Sequence, residues 1–271
     1  MTVVAVLAAL VCVGLIVWYA TRYRNLGQQR YSAPASWTRA GIFVSACWVL
    51  SIATGAAREI TDHPIVTSSQ LHSGAWWAWT VASFVTVGVG YWVIWARWTL
   101  HFDRRRAIGA QILMGILWGS GAGQLFVTVV HVVDRLGLPK WGLWLASYAI
   151  ISTWQGLFQD LFWDVWVSPE HDTPWSIIRK VIVTHIPNVT MTLTWFVLYR
   201  NAALWVAVES MALVGACVFM RFPPWWERDH VLAPTTGPAF AGLIRATGYE
   251  SDDRDPYATQ RASDRAKVNA G

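Results

Sequence analysis

Residues 109–133 read GAQILMGILWGSGAGQLFVTVVHVV, an apolar run without a single Lys, Arg, Asp or Glu. About 20 such residues, rising 1.5 Å each, cross the hydrocarbon core of a bilayer as an α-helix. Lipid offers the backbone no hydrogen-bond partners, so a spanning run has to close its own bonds as a helix. Working outward, runs of the same kind occupy 2–20, 38–57 and 76–97 before it, and 141–165, 177–198 and 202–220 after it. The short alternating segments of a membrane barrel are absent from the sequence. Only 14% of the 271 residues are charged, against roughly a quarter in soluble domains, and those charges cluster between the runs. The expected fold is an all-α polytopic membrane protein, a bundle of about seven transmembrane helices covering 1–226. The first run starts at Thr2 with no basic segment before it and no small-residue cleavage site, so it reads as a retained helix.

Orientation follows from Lys and Arg in the short loops. With the N-terminus outside, the inner loops hold Arg22, Arg24, Arg30, Arg104, Arg105, Arg106, Arg179 and Lys180. They outnumber the outer Arg58, Arg135, Lys140 and Arg200. The expectation is therefore N-out/C-in, in a multi-pass protein of the plasma membrane. The net charge of +5 is absorbed by this topology, so nucleic acid is not an expected partner. After Phe222-Pro223-Pro224-Trp225-Trp226 the chain turns polar, and 227–271 reads as a cytoplasmic tail, disordered toward its end. The expected partners are the bilayer and other membrane subunits or a second copy of the chain.

Polar groups inside spans are costly and mark candidate sites. At about 100° per residue, Ser120, Gln124, Thr128, His131 and Arg135 share one stripe of span four. Cys47, Ser51, Thr54 and Arg58 share a stripe of span two, and His185, Asn188, Thr192 and Tyr199 one of span six, where Pro187 interrupts the ladder. Span five places Gln155, Gln159, Asp160 and Asp164 within one arc toward the inner side, and Glu209 falls near the middle of span seven. Candidate catalytic groups are Glu209, His185, Asp160 and Asp164. Gln124, Asn188, Gln155 and the deep-lying Trp118 are candidates for holding substrate. Amides and hydroxyls on such faces also serve as plain interhelical hydrogen-bonding groups.

Counting from the connection at Arg200-Asn201, Glu209 lies roughly 12 Å deep and His185 roughly 22 Å deep. A direct bond between them is excluded by that offset. Asn188, Thr192 or a water would have to join them.

A second cluster belongs to the outer face: His63, His72, His131 and Asp134 form an N/O donor set of the kind that suits copper, zinc or iron. Their spacing matches no HxxxH, HExxH or HxxHH pattern, which disfavours membrane di-iron oxygenases. The inner loop Ser168 to Trp175, with Glu170-His171-Asp172 between two prolines, offers a third acidic site beneath Asp160 and Asp164.

Other motifs carry less. Gly119-Ser120-Gly121-Ala122-Gly123 resembles a dinucleotide loop but lies inside a span with Gly115, where small residues let helices approach closely. Span seven has no Lys for a retinal Schiff base, and no phosphate-binding loop or nucleophile elbow occurs. Cys12, Cys47 and Cys217 sit in apolar runs without a CxxC pair.

Three functions stay open on the sequence. The first is a membrane-embedded enzyme or enzyme subunit, dependent on a metal or haem and acting on an apolar substrate beside the tryptophan-rich interior. The second is a non-catalytic subunit of a membrane complex. The third is a proton-coupled small-solute transporter using Glu209 and His185, against which the lack of internal repeats counts.

Overall fold

A computed structural model describes residues 30–31, 33–94, 107–154, 181–219 and 230–231. The described chain is helical, apart from a two-residue antiparallel pairing of β1 (Arg30–Tyr31) with β2 (His230–Val231). Helix α1 covers Ala33–Thr54, and the short α2 (Arg58–Thr61) and α3 (Ser68–Leu71) follow in what the sequence suggested was a plain loop. Then come α4 (Gly74–Gly88), α5 (Ile108–Asp134), α6 (Lys140–Thr153), α7 (Ile186–Tyr199) and α8 (Ala202–Phe219). Span one, the end of span five with Gln155, Asp160 and Asp164, the 168–175 loop and almost all of the tail lie outside the described residues.

Local chemistry sets the ends. Ser73 caps α4 by accepting the Trp76 N–H, and Thr67 and Gln70 form a reciprocal capping box on α3. Helix α7 stops at Arg200, whose left-handed backbone (φ 56°) lets its N–H reach the Phe196 carbonyl.

Two stretches are wound as π-helix: Val89–Ile94 continues α4, and Val181–His185 leads into α7. The second has a cause in the sequence. Pro187 lacks an N–H, and its ring crowds the carbonyl four residues back, at Val183. A wider turn there relieves the clash.

The long helices pack through small residues and polar contacts. Helix α5 is central, running antiparallel to α8 along Gly115, Gly119 and Gly123. A side chain at Gly119 would stand 2.3 Å from the Ser210 Cα, and one at Gly115 2.5 Å from the Val214 Cα. The glycine run is thus a packing stripe, as its position in a span implied. On another face, α5 runs parallel to α1, where Gln124 donates to the Ser51 hydroxyl. Phe43 stacks on Trp118 with ring centroids 4.5 Å apart and on Trp154 at 5.5 Å. Trp118, 3% exposed, is thus packed against the Phe43 ring.

Two helical stretches, Gly74–Ile94 and Ile108–Asp134, are long and apolar enough to cross a membrane.

Candidate functional site

Three connections meet at one end of the described helices. Asn201, which directly precedes α8, is almost fully buried there. Its Oδ1 accepts the Trp76 indole N–H at 2.8 Å, and its Nδ2 donates to the Ile65 carbonyl and to Gln70 Oε1. Gln70 Nε2 in turn donates to the Tyr199 carbonyl. Arg200 pairs with Asp134 at 2.8 Å, and His131 Nδ1 lies 2.9 Å from Glu59 Oε1. Asn201 was missed as a sequence candidate because it sits in a two-residue connection, outside any helical stripe.

This end does not assemble the expected metal set. Among the described residues no group of three His, Cys, Asp or Glu side chains could hold an ion. The reason lies in the partners those residues take. His131 faces Glu59, Asp134 faces Arg200, and His72 Nδ1 lies 2.7 Å from the Ser68 carbonyl of its own short helix. His63 is exposed on the loop between α2 and α3.

The interior site is better built. Helices α4 and α7 run antiparallel, so that Ser83 meets the Met191 carbonyl, Gly90 meets Asn188, and Tyr91 meets His185. The two π-helical stretches therefore face each other, and the Tyr91 hydroxyl lies 3.0 Å from His185 Nδ1. Tyr91 is buried and His185 half-buried, with their rings edge to face.

Glu209 comes from α8. It is 7% exposed, and its β-carbon packs beside Gly123 of α5. Its carboxyl is near enough to Tyr91 to act on it electrostatically, and the Trp205 indole, one helical turn earlier, lies beside it. Glu209 thus faces the interior, and the group that meets His185 is Tyr91. Sequence reasoning looked for Asn188, Thr192 or water in that role. Tyr91 was missed because an aromatic residue in an apolar run carries no polar periodicity.

Thr192 does not join the chain; its hydroxyl donates to the Asn188 carbonyl at 2.8 Å. Asn188 does belong to the site. Its side chain is 95% removed from solvent (5% exposed) and presses on Gly90, where an added β-carbon would come within 2.8 Å of Nδ2. It lies by the Tyr91 hydroxyl and interacts with it. Gln124, another described substrate candidate, is fully buried on a different face of α5, where it donates to Ser51.

The arrangement pairs a phenol with an imidazole, with a buried carboxyl and an amide nearby. Groups of these kinds can give and take protons. No protein-family model, curated protein or solved structure matches the chain.

Proposed function

We propose that the chain is a multi-pass membrane protein of about seven spans, N-out/C-in, and that Glu209, Tyr91 and His185 form its working acid–base site. In this reading it is a membrane-embedded enzyme, or the catalytic part of one, acting on a lipophilic substrate. The membrane part is supported by the two helical stretches of spanning length and by apolar side chains left exposed at mid-helix, among them Ile52, Val81, Val85, Ile112 and Ile116. In water such a surface would drive association; in lipid it is the ordinary outer face of a bundle. The loop arginines supply the orientation.

The observation that carries the site is the hydrogen bond between Tyr91 and His185. It joins two facing π-helical turns, a backbone form frequent at functional sites. Burying ionisable groups at this depth costs free energy that simple packing would not need. Glu209 and His185 have the chemistry to exchange a proton through the Tyr91 hydroxyl as a substrate reacts.

The test is a comparison of turnover by the wild-type protein, Glu209→Gln and Tyr91→Phe, each in lipid vesicles with a membrane lipid extract. Mass spectrometry should find molecules consumed and formed by the wild type alone. Identical extracts after all three incubations would remove the acid–base reading.

A further inference from the structure

We infer that Trp92 is a positioning residue for the Tyr91–His185 pair. Its indole latches the wide turn Val89–Ile94 onto α8, the helix that carries Glu209, and so sets where the Tyr91 hydroxyl stands. The inference rests on the proposed acid–base function for its effect on turnover, though not for the geometry.

Three consecutive residues of that turn meet two different neighbours. Gly90 lies against the Asn188 amide, and Tyr91 against His185 just before α7. Trp92 is held by α8 instead. Its Nε1–H donates to the Met211 carbonyl at 3.0 Å. Its ring lies on Gly215, where an added β-carbon would come within 2.4 Å of Cδ1 and Nε1. The two contacts share one cause. In a helix each Cα–Cβ bond tilts toward the N-terminus, so a side chain at 215 would crowd the carbonyl one turn earlier, at Met211. Glycine leaves that carbonyl open from the side.

Trp92 is 39% exposed, so burial alone does not fix its ring. Lipid offers an indole N–H no acceptor, which favours keeping the bond to Met211. That bond matters because π-helical winding is rare and occurs as short stretches within α-helices. Contacts from outside the helix have to favour it. Here Asn188 holds the residue before Tyr91, and Met211 with Gly215 holds the residue after it. Met211 also lies two residues beyond Glu209, so the same bond ties the helix of the carboxyl to the turn of the phenol. Without the latch the turn is free to rewind as α-helix, and rewinding would carry Tyr91 off His185.

The test uses the full-length protein in lipid vesicles, with tyrosine labelled by 13C at Cζ and histidine by 15N. Magic-angle-spinning NMR reads the Tyr91–His185 dipolar coupling, identified as the one that Tyr91→Phe removes. Gly215→Ala should push the indole off its seat, since the three nearest atoms its methyl group would meet all belong to Trp92. Trp92→Leu removes the indole outright. Either variant should lose the coupling, and Gly41→Ala should keep it. In the lipid-extract assay the two substitutions together should lose no more turnover than the worse of them alone, because both remove one latch. A second label pair, 15N at the tryptophan indole and 13C at the methionine carbonyl, reads the Trp92–Met211 bond in the wild type. It decides the matter where a variant fails to fold.

A wild type without the indole–carbonyl coupling would overturn the inference. So would variants that keep the tyrosine–histidine coupling at full strength, or a combined turnover loss larger than either single one. Lost coupling with unchanged turnover would uphold the positioning and remove the acid–base reading alone. Lost turnover with the coupling intact would remove this inference alone.

Discussion

Replacing Gly119 with alanine tests the packing that holds Glu209 in place. The new methyl carbon would lie 2.3 Å from the Ser210 Cα and 2.7 Å from the Glu209 carbonyl oxygen. Both neighbours are backbone, so no side chain can swing away. Ordinary carbon contacts sit at about 3.5 Å, so α8 must retreat by about 1 Å. A gap of that size forfeits between a quarter and a half of each dispersion contact it opens. Overpacking of this kind costs about 1–3 kcal/mol, offset by about 1 kcal/mol from the better helix propensity of alanine. The expected net loss is about 0–2 kcal/mol, and about 1–3 kcal/mol relative to an alanine placed where nothing crowds it. Gly41→Ala is the control, since a methyl group there meets nothing within 4 Å, and it should leave stability equal or slightly higher. Reversible unfolding of both variants in mixed micelles gives the comparison. If Gly119→Ala proves as stable as Gly41→Ala, the close approach of α5 to α8 is wrong. The position assigned to Glu209 is then wrong as well.

Asn201→Ala should cost about 2–4 kcal/mol in the same unfolding assay, because it strands the buried Trp76 indole N–H and removes the bonds to Ile65 and Gln70. Arg200→Ala, which breaks a part-exposed ion pair with Asp134 and a cation–π contact with Phe196, should cost about 1 kcal/mol; equal losses would show that Asn201 is not the anchor of this end. A cysteine at the exposed Ser69 should react with an impermeant reagent from outside, and a reporter fused at the C-terminus should behave as cytoplasmic. The reverse pattern would invert the topology.

How much was legible beforehand depended on the kind of signal. Apolar length marked the helices well: the run at 109–133 became Ile108–Asp134, and the one at 202–220 became Ala202–Phe219. The backbone in an apolar segment has only itself to bond to, so composition there is close to a structural statement. The polar stripes of spans two and four did face each other through Ser51 and Gln124, and the glycine run did pack helix on helix. Periodicity fixes which residues share a face, and a face of that kind has few places to go.

The outer histidines show the limit. The sequence pattern said nothing of α2 and α3, four-residue helices of which α3 is held by its capping box and by Asn201. What each imidazole met was set by contacts distant in sequence, as where His131 of α5 faces Glu59 of α2. The interior site shows the same limit from the other side. Glu209, His185 and Asn188 were visible because polar groups are rare in apolar runs, but Tyr91 looked like any aromatic residue. Its role depends on α4 and α7 both widening at the same depth, so that a phenol from one meets an imidazole from the other. Sequence determines each helix and its polar face, since those rest on local bonds and burial. Which faces meet, and at what depth, is decided only when close-packed helices settle into register.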